Sequence, residues 1–289
     1  MDWLVHISFW WLAVGTLFLG AACGIAGVLA LLQKQSLMGD AVSHAAFPGI
    51  VLAFIILQTK TTLPLLAGAA VIGLFGNYLV NHIMRNSKLK TDAALGIVLS
   101  AFFGFGMLLY SYVPQLKLDT QAGLERFLFG QAATLLEAEV YWIVAWFAMV
   151  LVLVSVFFKE IKLTLFDDIF ASSIGIPVRR MKAAMGIVVV ISIVTGLQAA
   201  GVILISTLLL APAAIAKQWS ESLQRMFVVA GLTGGFGSVL GLVISIWLVD
   251  LPTGPVIVVV LSILVMIALL TPIGRRKTLK NNLNAHPAN

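Results

Sequence analysis

The chain has 289 residues, 61% of them hydrophobic and only 10% charged, with a mean hydropathy of +1.06. Crossing a bilayer of roughly 30 Å takes about 20 helical residues, and the chain is built of runs near that length, so the composition excludes a soluble globular domain and fits an all-α polytopic membrane protein. A net charge of +6 does not mark a nucleic-acid binder, because the lysines and arginines fall in short clusters between apolar runs instead of along one stripe with interleaved aromatics.

Nine apolar segments are expected in chain order, near residues 9–32, 43–57, 63–84, 93–112, 140–158, 183–197, 201–216, 226–249 and 254–270, with eight spans plus a re-entrant piece as the alternative. The first begins almost at Met1, without the basic start and small-residue cleavage site of a signal peptide. It contains the only cysteine, Cys23, which rules out an intramolecular disulfide and a thiolate metal cluster.

The entrance of the second segment is the most informative place in the chain. Asp40 and His44 are four residues apart, so on a helix they share one face and can converge on one cation. Ionisable groups inside a membrane are expensive to bury, and such a pair is a hypothesis about a site. A carboxylate oxygen with an imidazole nitrogen suits Mn²⁺, Fe²⁺ or Zn²⁺ and disfavours Cu⁺, which prefers sulfur. Two donors from one helix hold an ion poorly; the same pair from a second copy or a related chain would complete two carboxylates and two imidazoles. Ser43 either supports these donors or bonds back to its own helix. Pro48 lacks the amide hydrogen that would bond the His44 carbonyl, and with Gly49 it weakens the helix beside the donors.

In the third segment Asn77 and Asn81 share a face and are expected to hydrogen-bond to a neighbouring helix. Clustered basic residues place the loop of Arg85, Lys88 and Lys90, the loop 159–182 with Lys159, Lys162, Arg179, Arg180 and Lys182, and the tail 275–289 on the cytoplasmic side. Loops 59–62, 114–139 and 250–253 are assigned outside. Within 163–177 a short helix is expected, capped by Asp167 or Asp168, ended by Gly175 and stopped by Pro177. Such an element is either a docking helix or an interfacial turn. Gln198, Ser206 and Pro212 are candidates for lining a pathway where the sixth and seventh segments meet, and Gly231, Gly234, Gly235, Gly237 and Gly241 are read as packing positions. No separate soluble domain is expected, so residues 1–289 form a single transmembrane domain.

Four blocks carry a family resemblance: Leu37-Met-Gly-Asp-Ala-Val-Ser-His-Ala-Ala-Phe-Pro-Gly49, Phe127-Leu-Phe-Gly-Gln-Ala-Ala-Thr134, Gly201-Val-Ile-Leu-Ile-Ser-Thr-Leu-Leu-Leu-Ala-Pro-Ala-Ala214 and Leu251-Pro-Thr-Gly-Pro255. In this order, over nearly the whole length, they resemble the permease subunits of metal-uptake ABC transporters. The resemblance implies the ABC metal-permease fold, a place in the plasma or inner membrane, and import of a divalent metal into the cytoplasm. Asp40 and His44 would be its transport site. Gly39, Asp40, Ala41, Ser43, His44, Pro48 and Gly49 follow the pattern of manganese and iron systems, which implies Mn²⁺ with Fe²⁺ or Zn²⁺ behind it. Ala171 and Gly175 resemble the Ala-x-x-x-Gly core of a coupling helix, with Asp167 and Asp168 at its start. The implied partners are a cytoplasmic ATP-binding subunit, an extracytoplasmic metal-binding protein and a second copy or related permease.

No G-x-x-x-x-G-K-S/T phosphate loop occurs, so ATP hydrolysis would belong to a separate polypeptide. The chain is therefore read as a non-enzyme with no permanently bound cofactor. A stand-alone carrier or channel would use the same Asp40/His44 pair. An intramembrane hydrolase would need a third ligand and a general base, and no His-Glu-x-x-His motif is present.

Overall fold

The computed structural model describes residues 7–58, 61–116, 135–248 and 251–271. The expected Phe127 to Thr134 block, Asp250 and the tail 275–289 lie outside the described residues. The elements are α1 (Ile7–Leu32), α2 (Met38–Leu57), α3 (Thr62–Asn86), α4 (Thr91–Tyr112), α5 (Glu137–Val156), α6 (Phe158–Phe166), α7 (Asp168–Ser173), α8 (Val178–Trp219), α9 (Leu223–Trp247) and α10 (Thr253–Leu270), with no strand among the described residues. Eight helices are long and apolar enough to cross a membrane: α1 to α5, the first arm of α8, α9 and α10.

Two segments differ from expectation for identifiable reasons. The second helix starts at Met38, not at residue 43. Lys34 adopts a left-handed φ of 59°, the Gln35 N–H donates to the Ala30 carbonyl at 3.0 Å, and α1 is closed there, which lets the chain re-enter a helix at once. The backbone bonds run through Gly39-Asp40, with Ala41 N–H donating to the Leu37 carbonyl at 3.0 Å. The sixth and seventh segments form one run, α8, interrupted at Gly201 with φ 74° and ψ 167°. Ile205 packs back onto Gly196, where a Cβ would fall 2.2 Å from its Cδ1. Nine residues of straight helix would separate them by about 13.5 Å, so the chain turns sharply at Gly201. A glycine is required there because φ > 0 with extended ψ crowds any Cβ.

The helices pack through small residues, as expected where lipid removes the usual hydrophobic drive between helices. Antiparallel α2 and α3 meet with Gly49 against Gly68 and Ala45 against Gly76. Antiparallel α3 and α8 meet with Gly73 against Val190 and Asn77 against Gly186. Together these contacts bring the start of α2, the end of α3 and the start of α8 to one end of the bundle. That end therefore collects Arg85, in the last turn of α3, and Arg179 and Arg180, in the first turn of α8. On the other side α1 runs antiparallel to α9, with Gly20 against Gly234 and Gly24 against Ala230, and Gly241 of α9 lies against Ile257 of α10. Outward faces are bulky and apolar, with Val71, Phe75, Tyr141, Trp142, Val259 and Ile263 exposed, as a bilayer-facing surface requires.

Candidate metal site

Helix α2 lies between α3, α4 and α8 and is the most enclosed element after α1. Around its first two turns Met38, Ala41, Val42, Ser43, Ala45 and Ala46 are buried, whereas Asp40 and His44 stay partly exposed. The i, i+4 spacing therefore opens a narrow polar window on an otherwise sealed helix. Ser43 does not turn toward it: its hydroxyl donates to the Asp40 carbonyl at 3.0 Å, the back-bonding alternative. Pro48 and Phe47 pack on Gly106 of α4, where a Cβ would fall 3.0 Å from Pro48 Cδ and 2.7 Å from Phe47 Cδ1. The helix stays intact through Pro48, with Gly49 seated against Gly68.

The His44 ring meets Phe103 of α4 edge-on, with centroids 4.5 Å apart and planes at 81°. Its Nδ1 is buried and, among the described residues, has no hydrogen-bond partner. Leaving such a group unsatisfied costs about 1–3 kcal/mol, so the ring is poised for a group that this chain's own hydrogen bonds do not supply. Among the described residues no three His, Cys, Asp or Glu side chains converge. The chain alone thus presents two donors of mixed hardness, a set that suits a divalent transition ion only when further donors come from elsewhere. Phe103 is a contact that sequence reading missed; it lies far from His44 in the chain, and only the register of α4 on α2 brings it there.

The expected pathway residues are placed unequally. Ser206, in the second arm of α8, lies against the start of α2, where a Cβ on Gly39 would be 3.1 Å from its Cα. Pro212 is buried, packed between Gly24 of α1 and Gly234 of α9. The side chain of Gln198 lies outside the described residues. Asn77 and Asn81 pair within α3 instead of across to a neighbour: Asn81 Nδ2 donates to the Asn77 carbonyl at 2.8 Å and to its Oδ1 at 3.2 Å. Asn77 then fills the space beside Gly186 of α8.

The expected short helix is α7, and a further short helix, α6, precedes it. Asp167 is the cap that forms, its carboxylate accepting from the Phe170 N–H at 2.9 Å, while Asp168 pairs with Lys182 of α8. Gly175 has φ 88°, and two bonds close the end of α7: Gly175 N–H to the Ser172 carbonyl at 3.1 Å and Ile176 N–H to the Ala171 carbonyl at 3.0 Å. This double bond pattern around a left-handed glycine is a Schellman ending. Ala171 is buried, whereas Phe166, Ile169, Phe170 and Ile174 are exposed, Ile169 at 83%. The result is an exposed apolar knob, capped at both ends, between two spanning segments. Replacing Asp167 with Ala removes the cap at a cost of about 1 kcal/mol. Amide hydrogen exchange of residues 168–173 should then rise about fivefold with α2 unchanged; an unchanged rate there would show that the cap contributes nothing.

A bundle of eight membrane-length helices, with a polar window in an enclosed helix and a short capped helix between two spans, defines a multi-pass membrane protein. The chain belongs to the ABC 3 transport family, whose model matches residues 8–272. It is 42% identical over 267 residues to the manganese transport system membrane protein MntC of Bacillus subtilis, covering 92% of this chain and 61% of that protein. It is 45% identical over 257 residues to the zinc transport system membrane protein TroC of Treponema pallidum, covering 89% of this chain and 86% of that one. Among solved structures it is similar to PsaBC from Streptococcus pneumoniae in complex with Fab, with a TM-score of 0.83 at 29% identity over 96% of this chain and 97% of the other.

Proposed function

We propose that this chain is the membrane-spanning subunit of an ATP-driven importer that carries a divalent transition metal into the cytoplasm, Mn²⁺ first, with Fe²⁺ and Zn²⁺ as the alternatives. The observation that carries the reading is the Asp40/His44 window, two cation donors on successive turns of a helix otherwise buried around them. In this reading residues 1–289 are one permease domain, the loop 159–182 is the coupling element and the tail 275–289 is a polar cytoplasmic end. The exposed knob of Phe166, Ile169 and Phe170, held by the Asp167 cap and the Gly175 turn, seats in a separate ATP-binding subunit. An extracytoplasmic metal-binding protein delivers the ion to the outer loops.

As the ion enters, the Asp40 carboxylate offsets its charge in a medium where unpaired charge is costly, and the His44 imidazole replaces lost water. Two permeases would supply both pairs, enough to hold and desolvate one ion. In the empty state two facing carboxylates repel, which favours open or wet arrangements. The preference for Mn²⁺ rests on the resemblance of Gly39, Asp40, Ala41, Ser43, His44, Pro48 and Gly49 to the pattern of manganese and iron systems; the named relatives include both a manganese and a zinc system at similar identity, so overall likeness does not decide it.

The test is uptake of radiolabelled Mn²⁺ in cells, with Zn²⁺ and Fe²⁺ as competitors, alongside vesicles holding this chain alone. Uptake that requires the ATP-binding partner and is outcompeted least by zinc supports the proposal. Gradient-driven transport by the chain alone would make it a stand-alone carrier or channel, and uptake of zinc only would overturn the metal.

A further inference from the structure

The outward face of α3 changes character along its length. Val71, Phe75, Tyr78, His82 and Arg85 recur at three- and four-residue spacing and are all exposed. At 3.6 residues per turn they fall within about 80° of arc, so one stripe about 21 Å long passes from aliphatic and aromatic side chains to phenol, imidazole and guanidinium. The Tyr78 and His82 rings lie together, with centroids 6.0 Å apart. That order follows the passage from acyl chain to headgroup, with the phenol at the boundary. The last turns of α5 and α10 instead expose Val156 and Leu270.

Helix α8 widens this surface. It meets α3 antiparallel, Val190 at Gly73 and Gly186 at Asn77, which brings residue 178 level with residue 85. Arg179, seven residues before Gly186, lies on the same face of α8 and so at the seam with α3. In an antiparallel pair, the positions that follow two contacting residues turn to the same side. Tyr78 follows Asn77 and Ile187 follows Gly186, so their exposed flanks form one outward surface. On the α8 flank, exposed Ala183 and Ala184 leave it low between Ile187 and Arg180.

Arg85, Arg179 and Arg180 stand together at the foot of this surface. None of the three side chains has a hydrogen-bond or ion-pair partner among the described residues. Nearby carboxylates are engaged or turned away: Asp168 pairs with Lys182, Asp167 accepts from the Phe170 N–H, and Asp92 belongs to α4, which packs on the Gly76 side of α3, opposite Arg85. Three like charges held close repel unless they share an anion, and a guanidinium fork donates paired hydrogen bonds to a phosphate.

We propose that the seam of α3 and α8 binds one anionic phospholipid, its phosphate shared by Arg85, Arg179 and Arg180 and an acyl chain lying along Tyr78 and Ile187. A free phosphate would use the guanidiniums alone, whereas a lipid uses both ends of the stripe. The bound headgroup ties the last turn of α3 to the first turn of α8, directly after the Gly175 turn that ends α7.

The test is native mass spectrometry of the full chain in neutral detergent, with phosphatidylglycerol, phosphatidylcholine of the same acyl chains, or inorganic phosphate added. Wild type should hold one phosphatidylglycerol at least about tenfold more tightly than phosphatidylcholine, and Arg85→Gln/Arg180→Gln should bring the two within about twofold, the loss expected for two basic contacts. Arg85→Lys/Arg180→Lys, which keeps the charge but not the paired donors, should fall between. Lys217→Gln/Arg225→Gln removes the same charge from exposed positions elsewhere and should keep the preference. All of these proteins should unfold at the same temperature in lipid-free detergent, because the substituted side chains are exposed. Equal loss in the Lys217/Arg225 variant would reduce the effect to overall charge, and inorganic phosphate bound as tightly as phosphatidylglycerol would remove the lipid; either overturns the proposal. A wild type without preference also overturns it, and loss of a protein partner by the arginine variants in that case would assign the three arginines to a protein contact.

Discussion

Asp40→Ala and His44→Ala should each lower Mn²⁺ uptake at least about 100-fold at matched membrane levels. Losing even an outer partner of a metal ligand typically costs 10–100-fold, and here the donor itself is lost from a set of two per chain. Asp40 carries the larger share because it alone supplies negative charge at the window. Removing it leaves the ion's charge uncompensated in a low-dielectric path, whereas removing His44 leaves one hard donor and room for water. The protein should still fold in both variants, since both side chains are only partly buried and neither holds a helix cap. Asn77→Ala serves as the comparison: that residue bonds within α3 and packs on Gly186, so its loss should reduce stability modestly and leave uptake near wild type. Uptake by Asp40→Ala within about twofold of wild type would remove the window from the transport path.

The second large effect is on folding. A Cβ at Gly27 would fall 1.9 Å from the carbonyl oxygen of Leu209 and 2.8 Å from its carbon, and both are backbone atoms that cannot rotate away. Gly27→Leu therefore forces α1 off the second arm of α8. Overpacking a tight core costs about 1–3 kcal/mol and sometimes more, and a clash of this depth against backbone belongs at the upper end. The variant should accumulate poorly in the membrane and unfold at a clearly lower temperature in detergent, with Gly96→Ala as the control that leaves both unchanged. The consequence reaches the window, because Leu209 and Ser206 of the same arm also lie against Gly39, one residue before Asp40. A Gly27→Leu protein with wild-type stability would mean that α1 and α8 separate more easily than their backbone contact indicates.

Much of the architecture was legible in the sequence, because a spanning helix must satisfy its own backbone and so announces itself as a long apolar run. The expected segments correspond to α1 to α5, α8 in two arms, α9 and α10, with ends displaced by a few residues. The errors came where polarity and helicity part company. The second segment was expected from residue 43, whereas α2 begins at Met38 and takes in Gly39-Asp40, and the break expected near Gln198 falls three residues later at Gly201, where two helical arms meet at a kink. The short helix of the 163–177 loop was readable from its Asp167, Gly175 and Pro177 signals, because caps and turns are local chemistry.

What the sequence determined by itself was the class of protein, the Asp40/His44 pair on one helix face and the capped knob, each fixed by spacing within a few residues. What only the tertiary structure decided was which side chains meet across helices: Phe103 on His44, Ser206 behind Gly39, and Pro212 between α1 and α9. The reason is that apolar helices of similar length are nearly interchangeable in hydropathy. Their register is set by which glycines allow backbones to touch, and that complementarity belongs to pairs of helices that no local pattern contains.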